Sequence, residues 1–148
     1  MQNDSIYVLL ADDDEDDRHF FKVAFESIKI KTIVKTVNDG VELMNYLVEN
    51  QNKLPHILFL DLNMPFKSGI ECLQEIKKID YLKDVAIAIY STSASEQEIE
   101  EAFVNGANVY IKKPHDFTTL KKFLEEVITL NWHYSTSGLN RDCFLLSL

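Results

Sequence analysis

The sequence predicts an α/β protein with a doubly wound, five-stranded parallel sheet and helices on both faces. Short apolar or β-branched segments alternate five times with segments of helical periodicity, which is typical of this class. The 148 residues, of which 46% are hydrophobic, suit one domain with one sizeable core. Polar residues gather where the predicted strands end, as they do in sheets of this kind that bind ligands.

Five segments have the composition of strands. The first, IYVLLA (6–11), is apolar almost throughout, as expected for a strand that is buried on both faces. The second, KTIVKTV (31–37), is rich in β-branched residues, which favour strands. Three more apolar runs complete the predicted sheet, namely HILFL (56–60), VAIAIY (85–90) and NVYI (108–111).

Each predicted strand is followed by a segment whose apolar residues recur at helical spacing. Acidic residues precede the first of these segments, which suits a helix N-terminus. A capping box from Ser95 to Glu98 opens the fourth helix, which is expected to end near Asn105 and Gly106. The predicted helices cover about residues 15–28, 39–50, 69–79, 95–105 and 117–130.

Charge and composition argue against several classes of function. The chain has 15 Lys and Arg against 24 Asp and Glu, a net charge of -9, so it has no general affinity for nucleic acid or an anionic membrane. Cys72 and Cys143 fit no metal-binding spacing. We see neither a signal peptide nor an apolar run that could span a bilayer. We therefore expect a cytoplasmic protein without nucleic-acid or membrane partners.

Polar residues stand at the ends of four of the five predicted strands. They are Asp12 and Asp13 after the first, Asp61 after the third, Ser91 and Thr92 after the fourth, and Lys112 and Lys113 after the fifth. The carboxyl ends of parallel strands meet at one edge of the sheet, where ligand sites form. These side chains are therefore the candidates for a functional site.

The acidic residues of this group favour a divalent cation. Asp12, Asp13 and Asp61 would converge if the first and third strands are neighbours in the sheet. Mg²⁺ suits such a site because it binds a few carboxylate oxygens, keeps several waters and accepts phosphoryl oxygens as further ligands. The lysine and the hydroxyl groups add a positive charge and a hydrogen-bond donor, so the set is complementary to a phosphoryl group on one carboxylate.

Four blocks of the sequence, in this order, resemble the receiver domain of two-component response regulators. They are ADDDED (11–16), LDLNMPFKSG (60–69), IYSTSAS (89–95) and YIKKP (110–114). Asp61 and Ser91 are 30 residues apart, and Ser91 and Lys113 are 22 apart, which is the usual register of that family. The resemblance covers about residues 5–130 and implies the strand order 2-1-3-4-5, as in the chemotaxis regulator.

The resemblance implies a phosphorylation site. Asp61 would be the phosphoacceptor, and its carboxylate would attack a phosphohistidine on a sensor histidine kinase or phosphotransfer protein. Mg²⁺ would be held by Asp61, by Asp13 directly, by Asp12 through water and by the backbone carbonyl of Asn63. Lys113 would pair with the phosphoryl oxygens. The receiver would perform most of this chemistry itself, acting on no other substrate, so we do not expect an enzyme.

The resemblance also implies a switch. Ser91 would move to hydrogen-bond the phosphoryl group, although Thr92 is a rival donor at the adjacent position. Tyr110 would swing inward into the space that Ser91 leaves, and this would change the face made by helix four, strand five and helix five. In contrast, residues 14–17 are expected to stay solvated at the N-terminus of the first helix.

The expected organisation is a receiver domain over residues 1–130 and a tail over 131–148. This tail is too short for an output domain, which predicts a stand-alone response regulator whose downstream protein target the sequence does not identify. A homodimer through the face of helix four and helix five is compatible with the resemblance. The tail ends in apolar residues, which either fray or dock on the domain itself or on a partner.

Three other interpretations are less consistent with the sequence. A degenerate receiver would act as a phosphorylation-independent protein-interaction module, and intact residues at every key position argue against it. A phosphatase of the haloacid-dehalogenase type has a second aspartate two residues after its nucleophile, where this chain has Asn63. A nucleotide-binding enzyme would need a glycine-rich loop after the first strand, and the sequence has none there.

Overall fold

The computed structural model describes residues 5–129 and the backbone of residues 145–146. Within these residues, six strands form one parallel sheet in the order β2-β1-β3-β4-β5-β6. The strands are β1 (Ile6–Ala11), β2 (Thr32–Val37), β3 (Ile57–Leu60), β4 (Ala86–Ser91), β5 (Val109–Lys112) and β6 (Leu145–Leu146). The helices are α1 (Glu15–Glu26), α2 (Gly40–Glu49), α3 (Gly69–Lys78), α4 (Glu96–Val104) and α5 (Phe117–Thr129), with a short 3-10 helix at Asp80–Leu82.

The predicted fold class is confirmed, including the order 2-1-3-4-5 of the five predicted strands. Two elements were not predicted, the 3-10 helix and β6. In β6, Leu145 and Leu146 pair in parallel with Tyr110 and Ile111 of β5. Residues 145 and 146 of the tail are thus joined to the sheet of their own domain. Residues 1–4, 130–144 and 147–148 lie outside the described residues, so the predicted boundary at residue 130 stays a prediction.

The sheet separates two apolar cores because successive side chains of a strand point to opposite faces. In β1, Val8 and Leu10 pack among the buried side chains of α1 and α5. Leu9 and Ala11 pack on the other face, among those of α2, α3 and α4. All four are fully buried. This explains why β1 reads as a continuous apolar run.

Side-chain caps determine where several helices begin. Ser95 and Glu98 form the predicted capping box at the start of α4, and Ser68 and Glu71 form a second one at the start of α3. Asp14 caps α1 by accepting hydrogen bonds from two backbone N–H groups of the first turn. Within residues 5–129, no helix is both long enough and apolar enough to cross a membrane.

Candidate functional site

The sheet brings three acidic residues to one point at its carboxyl edge. Ala11 of β1 is paired with Leu60 of β3, so the residues that follow them, Asp12 and Asp61, are neighbours. The backbone N–H of Asp61 donates to the Ala11 carbonyl at 3.0 Å. One carboxylate oxygen each of Asp12, Asp13 and Asp61 lies within 4.8 Å of the others. Asp12 and Asp61 are buried and Asp13 is exposed, so the cluster opens to solvent on one side.

Lys113 supplies the positive charge of this site. Its backbone N–H donates to the Ser91 carbonyl at 2.7 Å, which places it directly beyond β5. Its Nζ lies 2.8 Å from an oxygen of Asp12, 2.8 Å from one of Asp17 and 3.5 Å from one of Asp61. Burial lowers the pKa of Lys113, but attraction to these carboxylates outweighs burial and the pKa is raised overall. The lysine therefore stays charged.

Asp61 is an unusual aspartate. Burial raises its pKa the most, Lys113 lowers it, and the negative charge of Asp12 raises it again, so that the pKa of Asp61 is raised to about 7. The backbone N–H of Asn63 donates to Asp61 Oδ1 at 3.2 Å and also favours the charged form. Carboxylates with such shifted pKa values are concentrated at functional sites.

The carboxylate oxygens of this cluster suit a hard divalent cation as ligands. Asp12 Oδ1 accepts a hydrogen bond from the Asp14 backbone N–H at 3.0 Å. Asp12 Oδ2 is buried and forms an ion pair with Lys113 Nζ at 2.8 Å. Asp13 adds an exposed carboxylate. Several acidic oxygens with incomplete neutralisation are the environment that Mg²⁺ prefers.

The predicted switch residues lie in one hydrogen-bonded group beside β4. Ser91 is fully buried, and its Oγ lies 3.3 Å from Ser93 Oγ. Tyr110 is also fully buried, and its hydroxyl donates to the Ser93 carbonyl at 2.7 Å. Thr92, the rival hydroxyl, is exposed. Tyr110 therefore already lies inside the domain, and its movement during switching stays a prediction.

Ser93 links this group to α4. Its hydroxyl donates to Glu98 Oε2 at 2.9 Å, and Glu98 is also part of the capping box of α4. Burial raises the pKa of Tyr110 the most, the charge of Glu98 also raises it and the hydrogen bonds of Ser91 and Ser93 lower it, so that the pKa is about 12 overall. The end of β4, the middle of β5 and the start of α4 are thus connected through one serine.

The loop between β3 and α3 holds the site from a third side. Gly69 has no room for a side chain, because a Cβ atom there would lie 2.2 Å from the Asp61 carbonyl oxygen. Phe66 is 84% exposed and has a φ of 69°, in the left-handed region. The Lys67 N–H donates to the Pro65 carbonyl at 2.7 Å across it, which makes a strained γ-turn. The γ-turn therefore constrains the backbone at Phe66 and leaves the Phe66 side chain exposed to solvent.

One expectation was wrong. Asp17 was expected to stay solvated with its acidic neighbours, but its side chain is 33% exposed and pairs with Lys113. The spacing contains a signal for this, because Asp17 lies four residues before the buried Phe21 and so shares the core-facing stripe of α1. Two other contributors were not singled out, Tyr90 and Arg18. The Lys113 ammonium lies 5.2 Å from the Tyr90 ring centroid, and Arg18 donates to the Asp12 carbonyl at 2.8 Å.

The parallel sheet in the order 2-1-3-4-5, with an acidic pocket and a buried lysine beyond its strands, defines a flavodoxin-like α/β domain with a charged site at its carboxyl edge. The chain matches the response regulator receiver domain over residues 8–125 and belongs to that family, which serves two-component systems.

Similar proteins support this assignment. The probable methanogenesis regulatory protein FilR2 of Methanothrix harundinacea (strain 6Ac) is 29% identical over 137 residues, which are 89% of this chain and 88% of FilR2. The structure of the phosphorylated cyanobacterial phytochrome response regulator RcpA is 30% identical, with a TM-score of 0.76 over 83% of this chain and 91% of RcpA. The Mn²⁺-bound form of response regulator Rcp1 is 26% identical, with a TM-score of 0.74 over 84% of this chain and 93% of Rcp1.

Proposed function

We propose that the chain accepts a phosphoryl group on Asp61 from a phosphohistidine of a sensor histidine kinase or phosphotransfer protein. The observation that carries the proposal is the position of Asp61: a nearly buried carboxylate at the end of β3, 3.5 Å from the Lys113 ammonium and clustered with Asp12 and Asp13. The family to which the chain belongs supports the same function.

The transfer needs a charged nucleophile. An Asp61 oxygen attacks the phosphorus atom, a P–O bond forms, the P–N bond to the donor imidazole breaks, and the imidazole leaves with the bonding electron pair and takes up a proton. Lys113 favours the charged form of Asp61 and would stabilise the negative charge of the transferred group. The Ser91 hydroxyl would donate to a phosphoryl oxygen.

The proposal includes Mg²⁺, which Asp13, Asp61 and the backbone carbonyl of Asn63 would hold directly and Asp12 through water. When bound, it would supply positive charge that reduces the repulsion between the carboxylates and the incoming phosphoryl oxygens. Two observations support a cation here: the clustered carboxylate oxygens of the pocket, and the Mn²⁺-bound form of the similar protein Rcp1. RcpA, with the same fold, exists in a phosphorylated form.

Phosphorylation would act through protein partners. The link from Ser91 through Ser93 to Tyr110 and α4 supports a rearrangement of the face formed by α4, β5 and α5. That face would bind the downstream target, and self-association through it is a further prediction. We propose a cytoplasmic signalling protein that catalyses its own phosphorylation and dephosphorylation and turns over no other substrate.

Intact-mass spectrometry tests the proposal directly. The protein is incubated with acetyl phosphate or phosphoramidate, with and without Mg²⁺, beside the variants Asp61→Asn and Asp84→Asn. Asp84 is an exposed aspartate just before β4, at the end of that strand opposite to the acidic pocket, so it is the matched control. We expect one phosphoryl adduct that requires Mg²⁺, persists in Asp84→Asn and is absent from Asp61→Asn.

The opposite result would also be informative. If no adduct forms under any condition, and calorimetry detects no Mg²⁺ binding, then the chain acts as a phosphorylation-independent interaction module. An adduct that survives in Asp61→Asn would place the acceptor at a different residue.

A further inference from the structure

Asp17 lies on the first turn of α1, yet its carboxylate reaches the lysine that follows β5. Its Oδ2 accepts a hydrogen bond from Lys113 Nζ at 2.8 Å. The same ammonium lies 2.8 Å from Asp12 Oδ2 but 3.5 Å from Asp61 Oδ2. In this state, Lys113 is therefore held more closely by Asp12 and Asp17 than by the proposed phosphoacceptor.

The contact between Asp17 and Lys113 is more than an ordinary surface ion pair. The Lys113 side chain is only 8% exposed and lies against the Tyr90 ring, so solvent screens the pair on one side at most. The turn that carries Asp17 is itself held in place, because the Asp17 backbone N–H donates to the capping side chain of Asp14 at 3.1 Å. The carboxylate is therefore presented to the lysine by fixed backbone.

A phosphoryl group on Asp61 would change what Lys113 binds. An ammonium group has three hydrogens to donate, and Asp12, Asp17 and Asp61 already surround it. Phosphoryl oxygens carry more negative charge than the carboxylate they replace and would draw Lys113 toward them. One existing contact then has to be released. Asp17 is the most exposed of the three carboxylates, so its return to water costs least.

We propose that Asp17 is a positioning residue: it holds Lys113 in the unphosphorylated state and is exchanged for the phosphoryl group on Asp61. This inference rests on the proposed function. Asp17 then competes with the phosphoryl group for the lysine and lowers the occupancy of the phosphorylated state. The exchange also separates the first turn of α1 from the segment after β5, which the ion pair joins.

The test compares two neighbouring aspartates. Binding of beryllofluoride, a mimic of the phosphoryl group, is measured by calorimetry with Mg²⁺ for the wild type, Asp17→Asn and Asp16→Asn. Asp16 is exposed on the same helical turn, so Asp16→Asn removes the same charge near the same helix end without touching Lys113. We expect Asp17→Asn to bind beryllofluoride about fivefold more tightly than Asp16→Asn, as for a partly exposed ion pair. Asp17→Glu keeps a carboxylate and is expected to resemble the wild type.

Two further measurements separate this role from a purely structural one. In a Lys113→Met background, Asp17→Asn is expected to change the affinity no more than Asp16→Asn does, because the lysine that couples the two sites is absent. If Lys113→Met does not fold or does not bind beryllofluoride, the increase in melting temperature on adding beryllofluoride is compared instead for Asp17→Asn and Asp16→Asn with Lys113 present. That increase is expected to be larger for Asp17→Asn than for Asp16→Asn.

The outcomes are distinguishable. Equal affinities of Asp17→Asn and Asp16→Asn, or weaker binding by Asp17→Asn, would overturn the exchange while leaving the proposed function intact. If the wild type neither binds beryllofluoride nor forms an adduct with acetyl phosphate, the proposed function is wrong and the role of Asp17 is wrong with it.

Discussion

At the scale of single residues, the site depends on charges that are only partly neutralised. Asp12 and Asp61 are taken out of water by the sheet, and Lys113 is the ammonium group that lies between them. Burial of a carboxylate is unfavourable unless it is paired. The site therefore keeps a net negative charge that a cation would reduce, and Asp61 retains the raised pKa described above.

The raised pKa of Asp61 predicts how the metal-free protein responds to pH. Because Asp61 has a pKa of about 7 when folded and an ordinary value when unfolded, the folded state binds more protons between about pH 4 and 7. The free energy of unfolding is thus expected to fall as the pH rises through this range, by up to about 1.4 kcal/mol per pH unit from this group. Urea unfolding at pH 5, 6, 7 and 8 measures it.

Asp61→Asn is the control for the pH dependence. This variant is expected to lose the decrease in stability between pH 5 and 7, because an amide does not titrate. Glu71 and Glu98 have lowered pKa values, so their contributions to stability are lost only at more acidic pH and leave this range clear. A slope that is unchanged in Asp61→Asn would show that another group binds the proton.

Sequence spacing predicted the acidic cluster and Lys113 because strand ends of a parallel sheet share one edge. The spacing of Asp17 from Phe21 places it on the core-facing stripe of α1, but the pairing with Lys113 was not predicted because it also depends on how α1 packs against the end of β5. Nor did the spacing predict that the backbone carbonyl of Ser93 accepts a hydrogen bond from the Tyr110 hydroxyl, because every residue type offers such a carbonyl.

At the scale of elements, the helices begin where a side chain satisfies the first free N–H groups. Ser68 and Ser95 do this with paired glutamates, and both helices follow loops that line the site. The sequence pattern of a capping box is local, which is why the start of α4 was predicted correctly. The 3-10 helix and β6 were missed because they are short and have no such periodicity.

Removal of a cap is expected to destabilise the protein by a predictable amount. Ser68→Ala and Ser95→Ala each leave a helix N–H without its acceptor, and each is expected to lower the free energy of unfolding by about 1 kcal/mol. Thr118→Ala, an exposed position in the first turn of α5, is the control and should change it by less than about 0.5 kcal/mol. Urea unfolding measures all three. If the serine variants match Thr118→Ala, the caps contribute no stability.

At the scale of the whole molecule, the sequence predicted the layers because each of the first five strands and helices has its own apolar pattern, and the strand order followed from the resemblance to receiver domains. The tail could not be assigned in the same way. The pairing of Leu145 and Leu146 with β5 is formed by backbone groups. A strand that adds in parallel to the edge of a sheet needs few particular residue types, so the sequence hardly indicates it.

The net charge of -9 and the acidic pocket predict that Mg²⁺ stabilises the folded chain. An ion that binds only the folded state at ten times its dissociation constant adds about 1.4 kcal/mol, which raises the melting temperature by roughly 4 to 5 °C for a chain of this size. Asp13→Asn, at an exposed position, should reduce the increase. NaCl at equal ionic strength is the control. An equal increase with NaCl would attribute the effect to general screening.

The order of the strands also determines how well the site resists local unfolding. β1 is bonded to β2 and β3, and β3 is bonded to β1 and β4, so the strands that end at Asp12 and Asp61 have a neighbour on each side. Amide protons in such strands exchange with solvent only in the rarest opening events, whereas edges and helix ends open more often. We therefore expect the two buried acids to keep their positions while the periphery opens locally, and the amide protons of β1 and β3 to exchange only with global unfolding.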